Sequence, residues 1–178
     1  MSDIIAKLTL DNLREVFQNA GYRIETITDP VAGLQYLRSA TAGLSFDIRP
    51  GNRLLDGQQE FVDAALVALL QVEGNLPLEI VNLWNSTRRF GRLQLSQPML
   101  MLCLDLTVAG GVTADYLRAQ IEIWDRLVHE LITYLRHELS KLGAARGTAS
   151  AAEPAERADR LEPRQDTGSE SRAPLQVQ

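Results

Sequence analysis

This chain is poor in the residues that most chemistry needs. It has one cysteine, Cys103, in 178 residues, which excludes an internal disulfide and a cysteine-based metal cage. That usage suits a reducing compartment. Its only histidines are His129 and His137. On one helix they would face alike yet stand about 12 Å apart, too far to share a metal. Glu130 and Glu138 do not repair that geometry, so solvated histidines are expected. An excess of cations is missing too. The net charge is −5, so general attraction to phosphate backbones or anionic membranes is not expected. The longest apolar run, around Met99 to Leu104, is far too short to span a bilayer. The first residues carry an early acid, Asp3, and no long apolar region, unlike a signal peptide. No serine sits in a nucleophile-elbow pattern. The expectation is a soluble cytoplasmic protein with no catalytic residue, metal or cofactor.

What is present is a globular core and a tail. The hydrophobic fraction is 45%, ample for one domain. Composition changes at Gly143. From there to Gln178 no aromatic residue occurs, and Ala, Glu, Arg, Pro, Ser and Gln dominate. Such a segment cannot bury enough surface to offset the entropy of ordering, so residues 143–178 are expected to be disordered. Residues 1–142 are the expected domain.

Periodicity orders the domain. Thr9 can cap a helix over residues 10–20, whose stripe is Leu10, Leu13, Val16, Phe17 and Ala20, and which Gly21 ends. Strands are expected at 22–28, at 34–38 and across Leu44, Phe46 and Ile48, which alternate with Ser45, Asp47 and Arg49. Residues 61–72 are ambiguous. Their alanines and leucines favour a helix, whereas Val62, Ala64, Leu66, Ala68, Leu70 and Val72 fall on one strand face. Strand is the reading preferred. Pro77 opens a helix as its first residue, reaching about Arg88. Strands follow at 92–96 and 99–108. Gly110 and Gly111 make a turn, Thr113 caps a last helix, and that helix runs to Leu142, roughly 45 Å. Leu117, Ile121, Trp124, Val128, Leu131, Leu135 and Leu142 form its seam, widened by Ile123, Leu127 and Tyr134. Glu122 and Arg126 form an i,i+4 pair on the far face.

Three groups resemble one family in their order and spacing. They are Asn82-Leu83-Trp84-Asn85, then Arg88-Arg89-Phe90 leading into a hairpin, then Gly110-Gly111-Val112-Thr113 opening a long helix. The chain resembles the YbjN family over roughly residues 8–136. Members are described as bacterial sensory-transduction regulators with a fold like that of type III secretion chaperones. The resemblance implies an α+β fold with one antiparallel sheet flanked by helices. It supports a strand at 61–72, and it supplies no enzymatic residue.

The candidate interaction residues are Asn82, Asn85, Arg88, Arg89, Arg92, Met99 and Met101. Asn82, Asn85 and Arg88 can form a recognition patch. Alternatively, Trp84 fills the core and Asn85 ties down the helix end or the next loop, which is the preferred reading. Arg88, Arg89 and Arg92 surround Phe90. Nucleic acid could use such a group, but three charges in an acidic domain make a weak case. A solvated helix exit with Phe90 packed down is expected, with an anionic patch on a partner as the intermediate possibility. Gly110-Gly111 lacks the lysine and hydroxyl of a phosphate loop and reads as a tight turn. Cys103 has no cation near it in sequence and reads as a buried, inert thiol.

The face bearing Met99, Met101 and Cys103 should be polar if it met water, and it is not. Either the N-terminal helix covers it or another chain does. Methionines suit an adaptable contact. The functional expectation is a non-enzymatic regulatory or chaperone-like module, in sensory or stress signalling, that binds a protein partner or client, with a homodimer as one form. The alternatives are an enzyme with an unrecognised small-molecule pocket, or a weak nucleic-acid binder through Arg88, Arg89 and Arg92.

Overall fold

A computed structural model describes residues 4–55 and 59–152, with side chains described as far as residue 144. The elements in chain order are β1 (Ile4–Ile5), α1 (Leu10–Asn19), β2 (Glu25–Thr28), β3 (Gln35–Thr41), β4 (Leu44–Pro50), β5 (Asp63–Gln71), α2 (Leu78–Thr87), β6 (Arg92–Ser96), β7 (Met99–Thr107), β8 (Val112–Thr113) and α3 (Ala114–Ala152). Six strands form one antiparallel sheet in the order β2-β3-β4-β5-β7-β6, and β1 pairs with β8 in a small second sheet. The class is α+β.

Local chemistry explains most boundaries. Thr9 caps α1 by accepting from the Asn12 amide at 3.1 Å. Ala42 and Gly43, at φ +51° and +79°, make the two-residue turn between β3 and β4, which needs positive φ at both central positions. The strand expected at 61–72 is present as β5, Asp63–Gln71. It lies between β4 and β7, where ladder bonds and two packed faces outweigh the helical propensity of its alanines and leucines. Pro77 is extended (ψ 136°) and stands outside α2, which begins at Leu78 and not at Pro77 as expected. The strand expected at 22–28 begins only at Glu25, because residues 21–23 still leave the α1 exit. The pairing of Ile4 and Ile5 with Val112 and Thr113 was not foreseen. Two short apolar stretches far apart in sequence carry no periodic signal.

One side of the sheet carries the helices. Phe46 of β4 meets Phe17 of α1 and Trp124 of α3 at ring separations of 6.2 and 5.4 Å. Trp84 of α2 meets Tyr134 of α3 at 5.4 Å, and the Tyr134 hydroxyl donates to the Ile80 carbonyl at 2.6 Å. Leu37, Ile48, Leu66, Leu93, Leu100, Leu102, Leu104 and Leu106 fill this side and are buried. From α3 the buried residues are Leu117, Ile121, Trp124, Leu127, Val128, Leu131 and Tyr134. Ile123 and Leu135 are half-buried, at the margin of the seam. Glu122 and Arg126 are both exposed, and among the described residues they form no ion pair with each other.

The compact unit comprises Met1–Glu138, and Leu139 begins a second. Of the second unit, the described part is the continuation of α3 to Ala152, past the helix end expected at Leu142. Ala144, Ala145, Ala151 and Ala152 are strong helix formers. The remainder of the tail, expected to be disordered, lies outside the described residues.

Candidate functional site

The second side of the sheet is built by register alone. One row runs across all six strands: Glu25, Arg38, Asp47, Val67, Cys103 and Arg92. The next pairs Leu69 with Met101 and Gln94 with Met101. Helix α1 packs on the opposite side, so the N-terminal helix does not cover this face. Its centre is apolar. Leu69 is 43% exposed, Met99 and Met101 are half-buried, and Val67 and Cys103 are buried beneath longer neighbours.

Charged groups flank that centre on both sides. Asp47 is a buried carboxylate, 3% exposed. Arg38 grips it with Nε at 2.7 Å and Nη2 at 3.3 Å, and Arg49 donates from Nη2 at 2.8 Å. The two guanidiniums also stack on Tyr36, at 5.6 and 4.7 Å from its ring centre. The Arg38 pKa is raised, chiefly by its hydrogen bonds to Asp47. A buried carboxylate needs such pairing, because desolvation without it costs several kcal/mol, on the order of the whole stability of a domain. This cluster was missed in the sequence. Its only trace is an acid and a base alternating with apolar residues in one strand.

On the other flank Arg92 pairs with Asp105 at 2.5 Å and lies 3.7 Å from the Cys103 sulfur. The structure therefore supplies the cation that the local sequence lacks. Burial still pushes the Cys103 thiol pKa up, Asp105 adds to the rise, and Arg92 opposes it. The thiol stays protonated near neutral pH.

The second surface is the α2–β6 connection, where the structure brings together Asn85, Arg88, Arg89 and Arg92. Trp84 is fully buried, and its indole N–H donates to the Gly91 carbonyl at 3.1 Å. The Asn85 amide accepts from the Leu93 N–H at 2.8 Å and donates to the Leu93 carbonyl at 2.9 Å. It thus ties the helix to the following strand. Asn82 is exposed on α2 and makes none of these contacts. Arg88 lies over the Trp84 and Tyr134 rings, 5.2 and 5.6 Å from their centres, with Glu130 at 3.5 Å.

Phe90 is not packed down, contrary to the sequence expectation. It is 58% exposed at φ +73°. Trp84 already fills the space beneath the loop, and the backbone turn directs the ring outward. Gly110 and Gly111 have φ of +83° and +89°, as a tight turn requires.

A groove of about 1020 Å³ lies between the end of α1, β3 and α3. Asp125 is on its wall, accepting from the Tyr22 hydroxyl at 3.1 Å and from Thr41 Oγ1. His129 Nδ1 is 3.6 Å from the same carboxylate. Burial, then the charge of Asp125, pushes the Tyr22 pKa up to about 12. Among the described residues no group of three or more His, Cys, Asp or Glu is placed to hold a metal ion, and no helix is long and apolar enough to cross a membrane.

The architecture and these surfaces define an α+β protein with helices on one side of an antiparallel sheet and, among the described residues, no helix packed on the second side. Residues 9–137 match the model of the YbjN family, described as "putative bacterial sensory transduction regulator". The chain belongs to that family. No curated protein and no solved structure matches it.

Proposed function

We propose that this family member is a cytoplasmic, non-enzymatic regulator that works by docking another protein, in the manner of a chaperone or adaptor. The observation that carries the reading is the second side of the sheet, on which no helix packs among the described residues. Its apolar centre at Leu69, Met99 and Met101 is bordered by Arg38–Asp47–Arg49 and by Arg92–Asp105. An apolar centre inside a polar rim is the usual anatomy of a protein interface, and methionines adapt to different partners. The occupant is a client protein or a second copy of this chain.

The test uses wild-type protein and Met101→Asp. Light scattering reads self-association, and affinity capture from the native cell reads clients. A dimer, or a captured partner, that is lost in Met101→Asp supports the reading. Monomers in both proteins, with the same partners captured by both, overturn it.

A second reading, a small-molecule site, is favoured by the groove around Asp125. Tyr22 and Thr41 both donate to Asp125, and Tyr22 is held protonated. Those bonds occupy the carboxylate and argue for binding over acid–base catalysis. A thermal-shift screen of metabolites, repeated with Asp125→Asn, separates this reading from the first.

A further inference from the structure

We propose that the loop joining α2 to β6 is a preformed receptor for an acidic peptide segment, with Phe90 as the apolar anchor and Arg88 and Arg89 as carboxylate receptors. The inference rests on the protein-binding reading but uses a different surface from Met101.

Its first support is conformational. Gly91 N–H donates to the Arg89 carbonyl at 2.9 Å, and Phe90 between them has φ +73°. This is a γ-turn of the rare, strained kind. A bulky L-residue is costly there, and glycine or asparagine would be the natural choice. The turn nonetheless carries a phenyl ring that is mostly in solvent, contributing little to the core.

The second support is rigidity. Trp84 Nε1 holds the Gly91 carbonyl and Asn85 holds Leu93. Gly91 itself sits so close to α3 that an added Cβ would lie 2.9 Å from Leu127 Cδ1. Both ends of the turn are therefore fixed, and the direction in which Phe90 leaves the backbone is set before any partner arrives. An aromatic side chain that loses little freedom on binding makes an efficient anchor.

The third support is charge. The Arg89 guanidinium lies 5.4 Å over the Phe90 ring and has no ion pair among the described residues. Arg88 lies over two rings, donates from Nη1 to Thr87 Oγ1 at 2.8 Å and faces Glu130 with Nε, which leaves Nη2 for a carboxylate. Hollows of about 400 and 420 Å³ flank Arg88. The first is bordered by Phe90, Leu93 and Gln94, and the second by His129, Thr133 and Tyr134. Glu130 stands beside Arg88, and Asp105 engages Arg92 on the sheet face. They break the patch into separate receptors, which suits spaced carboxylates and opposes a continuous phosphate backbone.

The experiment is fluorescence anisotropy on the full chain with three labelled probes. They are the peptide Glu-Glu-Leu-Phe-Asp-Glu, its amide counterpart Gln-Gln-Leu-Phe-Asn-Gln, and a short single-stranded oligothymidylate. The acidic peptide is expected to bind, and the amide peptide to bind at least about tenfold more weakly. Phe90→Gly and Arg89→Gln should each weaken the acidic peptide about tenfold. Phe90→Gly should melt at or above the wild-type temperature, because the turn no longer carries a side chain. The proposal is overturned by absent binding, by equal binding of acid and amide peptides, or by tighter binding of oligothymidylate. It is equally overturned if both variants bind like wild type or if Phe90→Gly melts well below it. Met101→Asp should leave peptide binding intact, so failure here and failure of the sheet-face reading are distinguishable.

Discussion

Replacing Asn85 with alanine removes two hydrogen bonds at once and leaves a backbone N–H and C=O of β6 without protein partners. Asn85 is exposed, so water takes over part of the loss. The expected destabilisation is about 1–2 kcal/mol by urea titration. Asn85→Asp should cost at least as much, since a carboxylate accepts from the Leu93 N–H but repels its carbonyl. Tyr22 makes a prediction about pH. Its folded pKa is raised to about 12 against an ordinary value near 10. The unfolded chain therefore loses this proton first as pH rises. The Tyr22 contribution is complete below about pH 10 and is lost as pH climbs towards 12. Melting temperature measured across that window should fall less steeply in Tyr22→Phe. Cys103 should react slowly with a disulfide reagent at pH 7 while the protein is folded, and quickly once urea unfolds it. Trp84 and Asn85 were legible as structural residues because a tryptophan at helical spacing and an asparagine near a helix end have few other uses. The Arg38–Asp47–Arg49 cluster was not, because register, which no local pattern encodes, decides which charges meet.

Adjacent residues of β7 should behave as opposites. Leu102 is buried under the helices and Met101 is half-buried on the free side. Leu102→Ala should cost about 2–5 kcal/mol. Met101→Ala should cost less than about 1 kcal/mol and act instead on association. Circular-dichroism melts of the two variants, with light scattering beside them, check both halves. The alternation that made β4, β6 and β7 readable in sequence is the same property that separates these two positions. Alternation also placed β5 correctly, although its composition pointed to a helix. Phe90 defeated the reading because a positive φ at a bulky residue contradicts the preferences on which sequence patterns rest. β1 and β8 defeated it because each is only two residues long.

For the whole chain, the family match ends at residue 137 and the compact unit at Glu138. We propose that residues 1–142 fold as a domain without the rest. Truncation after Leu142 should then leave the melting temperature within about 2 °C of the full chain, and a large drop would show that the tail is part of the fold. The family description concerns regulation, and the candidate surfaces on this unit centre on different residues. The sheet face, the α2–β6 turn and the Asp125 groove offer separate points at which a signal and its recipient can be engaged.

The outermost strand β6 has a neighbour on one side only, and on the other Asn85 has already taken the place that a foreign strand would claim at Leu93. An aggregating chain seeking to extend the ladder there must first evict an amide that belongs to the same molecule and is never more than a bond rotation away. The sheet is thereby shielded against growth from that border.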